Sequence, residues 1–162
     1  MKHSSGHSPV LAAIALASFG AVAVALMTQH LGDMQPCPWC VLQRLVFVLI
    51  GLVAMVGALS PQALLVSVAR GLIALLALGG LAAAIWQHFV AAGSASCNLT
   101  LADRIMSAAG LDGWWPEVFA AYASCADAKQ SLLGLPYEFY SAGLFAVIAA
   151  VVLLRTGPLR HD

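Results

Sequence analysis

Residues 37–62 read CPWCVLQRLVFVLIGLVAMVGALSPQ. From Val41 to Leu59 the run is apolar except for Gln43 and Arg44, and it stops at the polar break Ser60-Pro61-Gln62. A helix rises 1.5 Å per residue and needs ~20 apolar residues to cross a ~30 Å hydrocarbon core, so residues 41–59 suit one crossing. Working outward, residues 10–30, 66–90 and 136–154 are three more runs of the same kind, with Arg70 and Glu138 near their starts. In lipid every backbone group must be satisfied within the protein, which makes helices the expected form for such runs. Of the 162 residues, 62% are hydrophobic and 9% charged, whereas soluble domains hold about 45–50% and about 25%. The expectation is an all-α integral membrane protein: a four-transmembrane-helix bundle forming a single domain over residues 1–162.

The connections refine this layout. Lys2 ahead of the run from Val10 to Met27 could be taken for a secretory signal, but the run exceeds the usual ~7–15-residue signal core and no cleavage site follows. A retained first helix is expected. Ser60-Pro61-Gln62 predicts a tight hairpin, and Pro136 is expected in the first turn of the fourth span. One long loop, residues 91–135, separates spans three and four. Its apolar positions Trp115, Val118, Phe119 and Tyr122 have helical spacing, and Trp114 and Trp115 suit a headgroup-level belt. A short interfacial helix is predicted there; a small loop core touching no lipid is the alternative.

Loop charge sets the orientation. Lys2, Arg70, Arg155 and Arg160 fall on one side, Arg104 and Lys129 on the other. The positive-inside rule puts both termini and the Pro61 hairpin in the cytoplasm, and residues 31–40 and 91–135 outside. A formal net charge of zero argues against nucleic acid as a partner, since phosphate binding needs a basic face.

All four cysteines, Cys37, Cys40, Cys97 and Cys125, then lie on the outward side, where an oxidising compartment favours pairing. One pair per loop suggests itself, although four cysteines allow three connectivities. Cys37-Pro38-Trp39-Cys40 is a Cys-x-x-Cys motif, in which one thiol can resolve a mixed disulfide made by the other. Cys40 falls where the second span begins, and the partial positive charge of a helix N-terminus stabilises a thiolate. Arg44, four residues on, shares its helix face. Ionisable groups inside a span are costly and usually functional, so Arg44 beside Cys40 is the most informative pair in the chain. The plainer readings are half of a zinc site, for which the spacing of Cys97 and Cys125 is wrong, a structural disulfide, and a snorkelling arginine. Closing the loop from Cys97 to Cys125 would by itself stabilise the fold by about 3–4 kcal/mol. Gly93, Ser94, Ala95 and Ser96 before Cys97 also suit a disulfide that an incoming thiolate can reach. The chain carries no Ser/His/Asp set, phosphate loop or H-E-x-x-H helix.

These features resemble the disulfide bond formation protein B (DsbB) family of bacterial inner-membrane thiol oxidases. The resemblance rests on Cys37-Pro-Trp-Cys40-Val-Leu-Gln-Arg44, on Cys97 and Cys125 in one long loop, on Trp115-Pro116-Glu117-Val118-Phe119 and Leu133-Gly134-Leu135, and on the four-span layout. It implies that a reduced periplasmic partner, a DsbA-like thioredoxin-fold protein, attacks a Cys97–Cys125 disulfide at Cys97. Cys125 is then released, and electrons pass to a Cys37–Cys40 pair. It implies a quinone (ubiquinone or menaquinone) as cofactor, met by Cys40 with Arg44 beside it and reoxidised by the respiratory chain. His88, near the outward end of span three, is similar in place to a family histidine near the quinone; helix packing is its plainer role. Gln43 stands where some relatives carry Glu. Two other functions are a paralogue dedicated to one partner, and a structural membrane protein with inert disulfides.

Overall fold

A computed structural model describes residues 8–93, 100–128, 131–132 and 134–154. Four long helices dominate: α1 (Pro9–Leu31), α2 (Pro38–Leu59), α3 (Ala63–Phe89) and α7 (Tyr137–Leu154). Each is long and apolar enough to cross a membrane. Large apolar side chains such as Leu16, Leu64, Leu75 and Val147 cover the outside of the bundle. Water would not tolerate so continuous an apolar surface, whereas lipid does. The chain is a multi-pass membrane protein.

The helices pack in sequence order, α1 on α2, α2 on α3 and α3 on α7. Glycines let them close up. An added Cβ on Gly51 would meet the Phe19 ring at 2.7 Å, and one on Gly80 would meet the Phe145 ring at 2.5 Å. Phe145 in turn stacks on Phe47, ring centres 4.0 Å apart. The hairpin at Ser60-Pro61-Gln62 is as expected, with the Gln62 N–H donating to Ser60 Oγ at 3.2 Å.

The long loop differs in detail from its sequence reading. Its main helix is α4 (Leu101–Ala109), opened by a capping box in which Thr100 and Asp103 serve each other's backbone N–H. The stretch expected as a short interfacial helix, marked by Trp115, Val118, Phe119 and Tyr122, is helical over the single turn α6 (Pro116–Phe119), which follows another single turn, α5 (Leu111–Trp114). The break falls at Trp115, with φ −141° and ψ 68°, because a residue before proline is driven out of the helical region. The apolar residues divide between the two roles considered. Met106 and Phe119 are buried against Val41 of α2, while Trp114 and Trp115 stay exposed and suit an interface. Pro136 is not in the first turn of α7. It pairs in a small antiparallel ladder, β1 (Ser131–Leu132) with β2 (Leu135–Pro136), and the helix starts one residue later.

Candidate redox site

The site grows from the first turn of α2. Cys37 is its N-cap and Pro38 its first residue, a position where proline's missing N–H leaves nothing unsatisfied. Cys40 therefore falls within that first turn, and its N–H donates to Cys37 Sγ at 3.4 Å. The two sulfurs lie 3.0 Å apart. Cys37 is fully buried and Cys40 half-buried.

Cys125 comes to the same place from the long loop. The N–H groups of Tyr122 and Ala123 donate to the Pro36 carbonyl at 3.0 and 3.3 Å, stitching the two loops together one residue before Cys37. Cys125 is hydrogen-bonded to Cys37, which holds the Cys125 thiol below the ordinary cysteine value; burial opposes this, and the Trp39 backbone N–H adds to it. The Cys37 thiol is pushed up, first by its hydrogen bond to Cys125, then by that to Cys40 and by burial. Of these two, Cys125 is the readier nucleophile and Cys37 the one that keeps its proton. The free N–H groups at the start of α2 thus face sulfur rather than water. Cys97 lies outside the described residues. Ala91 and Ala102, on either side of it in sequence, are buried in one cluster with Cys37, Trp39 and Cys125.

Arg44 is 6% exposed. It donates to Gln29 Oε1 at 2.6 Å, the Ala25 carbonyl at 3.3 Å and the Val118 carbonyl at 3.3 Å. These partners are neutral oxygens, and no carboxylate pairs with Arg44 among the described residues. A buried cation held this way keeps its charge available to its surroundings. On the other side of Cys40, Gln87 Nε2 donates to Cys40 Sγ at 3.2 Å and Gln43 Nε2 donates to Gln87 Oε1 at 2.7 Å. Ser141 Oγ of α7 donates to Gln43 Oε1 at 2.5 Å.

Cys40, Arg44, Gln43, Gln87 and Glu138 line one cavity of about 230 Å³. Its walls are otherwise mostly apolar and include the exposed Val24 of α1 and Tyr140 of α7 as well as Met34, Gln35 and Pro36 of the loop before α2. His88 stands behind Glu138. Its Nδ1 lies 2.8 Å from Glu138 Oε1, and its ring sits between Phe89 and Phe139. Glu138, not His88, reaches the cavity.

Of the residues singled out in the sequence, Cys37, Cys40, Cys125 and Arg44 come together here, whereas Gln29, Gln87, Glu138 and Ser141 were not recognised there as members of the site. A signal was available: each is a polar residue near the same end of an otherwise apolar span, where burial demands a partner.

Three thiols in one cluster at the mouth of a membrane bundle, one facing an apolar cavity beside a buried cation, define a membrane-embedded thiol redox protein. Comparison with known proteins gives the particular kind. Residues 7–155 match the family model for disulfide bond formation protein DsbB, and the chain belongs to that family. It is 33% identical over 145 residues to disulfide bond formation protein B of Nitrosospira multiformis, covering 88% of this chain and 86% of that one. It is 34% identical over 142 residues to the protein of the same name from Ralstonia nicotianae, covering 87% of each. A third relative, disulfide bond formation protein B 1 of Pseudomonas syringae pv. syringae, is 32% identical over 146 residues, covering 88% of this chain and 83% of its own.

Proposed function

We propose that this protein oxidises the dithiol of a periplasmic DsbA-like, thioredoxin-fold partner and passes the electrons to membrane quinone, ubiquinone or menaquinone. The observation that carries this reading is the order of the three sulfurs. Cys125 touches Cys37 from the loop side, and Cys37 lies 3.0 Å from Cys40, which faces the cavity.

In this reading the partner's thiolate attacks Cys97 of a Cys97–Cys125 disulfide, and Cys125 leaves as a thiolate. Cys125 then attacks Cys37 of a Cys37–Cys40 disulfide, and Cys40 leaves as a thiolate. The partner's second thiol displaces Cys97, closing the partner's own disulfide. Cys97 in turn displaces Cys37 from Cys125, restoring the loop disulfide and leaving Cys37 and Cys40 reduced. Each step exchanges one S–S bond for another, so two electrons move inward without an external oxidant.

The cavity fits a quinone headgroup. It is smaller than the ~300–1,000 Å³ of a drug-sized pocket, which suits a single ring whose tail lies outside. Its walls include the exposed Val24 of α1 and Tyr140 of α7, which offers a route for the tail into lipid, and Arg44 supplies a cation. A bound quinone would supply a two-electron, two-proton acceptor for the Cys37–Cys40 dithiol. Arg44 would stabilise negative charge developing in the cavity, and the apolar walls exclude water from the Cys40 sulfur.

The loops carrying the cysteines then face the periplasm of a bacterial inner membrane, with both termini cytoplasmic, as loop charge suggests. The test is turnover in detergent with a reduced DsbA-like partner and a soluble ubiquinone analogue. Quinone absorbance should fall in step with partner oxidation, and Cys40→Ser should reduce both to background. Well-folded protein that turns over no partner with any quinone would overturn the reading.

A further inference from the structure

Gln43 and Gln87 are 4% and 6% exposed, deep enough that each amide must be fully matched. A carbonyl oxygen only accepts and an NH2 only donates. With Ser141 Oγ donating to Gln43 Oε1, the Gln43 NH2 must face Gln87, and the Gln87 NH2 must then face Cys40 Sγ. Turning one amide alone would set donor against donor or oxygen against oxygen at 2.7 Å, a buried mismatch. Ser141 Oγ also lies 3.0 Å from the Glu138 carbonyl. If its single proton goes there, both amides can reverse together and leave the Gln87 oxygen to accept from a Cys40 S–H. The three side chains therefore run as one unit, whose direction is tied to whether the Cys40 sulfur accepts or donates.

We propose that Gln87 is a positioning residue for Cys40, turned NH2-first onto the sulfur by Gln43 and Ser141 whenever that sulfur is a thiolate. This extends the role of Cys40 in the proposed function and rests on Cys40 reacting as a thiolate. An anionic sulfur accepts a hydrogen bond more strongly than a thiol, and the amide stabilises it without bringing a charge of its own into the cavity. Arg44 is the charged neighbour on the same helix, and Glu138 and His88 across the cavity are occupied with each other. A carboxylate at position 43 or 87 would add a negative charge where the thiolate forms.

The test uses the full chain with Cys37, Cys97 and Cys125 changed to Ser, so that Cys40 is the one thiol, and follows its alkylation by N-ethylmaleimide without partner or quinone. Gln87→Met should slow alkylation roughly tenfold at neutral pH and approach the parent rate in alkali, where the thiolate forms without help. Gln43→Met and Ser141→Ala, which leave Gln87 in place but free to turn, should slow it less. A Gln87→Met rate equal to the parent at neutral pH, or reduced equally at every pH as altered packing would give, overturns the proposal. If Gln87→Met does not fold, parent-like rates in both Gln43→Met and Ser141→Ala overturn it instead. Because no quinone is present, failure of the quinone reading and failure of this one are separate results.

Discussion

The two halves of the bundle are built on opposite rules. Away from the cysteines, α1, α2, α3 and α7 meet mostly through apolar side chains and glycines, with Gly51 under Phe19 and Gly57 against Leu11 and Ala69. At the cysteine end the same helices bury Gln29, Gln43, Arg44, Gln87 and Glu138. The first half gains its stability from close packing, since lipid offers no hydrophobic drive between helices. The second half gives up such packing for polar groups that are expensive to bury and therefore must be matched one by one. That contrast marks the candidate redox site. Phe47, which stacks on Phe145 on one side and lines the cavity on the other, is the boundary.

Substitutions should separate the halves. Arg44→Met should slow the proposed quinone-reducing step roughly hundredfold, the effect of removing one preorganised charge-stabilising donor, while the proposed partner exchange at the loop disulfide continues. Arg44→Lys should restore it in part only, because one ammonium cannot serve Gln29, Ala25 and Val118 as the guanidinium does. Rapid mixing that resolves the two half-reactions checks both. In the apolar half, Gly57→Val should force Leu11 and Ala69 away and destabilise the bundle by about 1–3 kcal/mol, read as unfolding in mixed micelles. Turnover per folded molecule should hardly change. A smaller effect concerns pH. In the reduced protein Cys125 should be alkylated at lower pH than an ordinary cysteine, because its hydrogen bond from Cys37 favours the thiolate; Cys37, pushed the other way, should react last as pH rises. Mass spectrometry of peptides labelled across a pH series checks the order.

Much of this architecture was legible in the sequence, and for physical reasons. Four runs of near-spanning length leave little choice of fold, and the ends of α2 fell at a Pro on either side. Cys40 and Arg44 were readable as a pair because helical periodicity ties residues four apart. The partners of Cys40 across the bundle were not: Gln87 is 47 positions away and Ser141 reaches it only through Gln43, so no local spacing announces either. The approach of Cys125 to Cys37 depends on the Tyr122 and Ala123 amides meeting the Pro36 carbonyl, a contact between two loops that share no periodicity. The loop helices show the reverse case. Thr100-x-x-Asp103 ahead of an apolar pattern was a readable helix start, and Pro116 a readable break, but the apolar spacing nearby ran on to Tyr122, past the end of α6 at Phe119.

The central claim is that the loop cysteine and the helix cysteine are in exchange contact, so that electrons can pass from Cys125 to Cys37 and on to Cys40. A chain carrying Cys40→Ser and Cys97→Ser retains only Cys37 and Cys125. Under mild oxidation in detergent it should form the intramolecular Cys37–Cys125 disulfide rapidly and nearly completely, identified by peptide mapping without reduction. Failure to form that bond in folded protein, under conditions that oxidise Cys37 with Cys40 in the parent chain, would contradict the account.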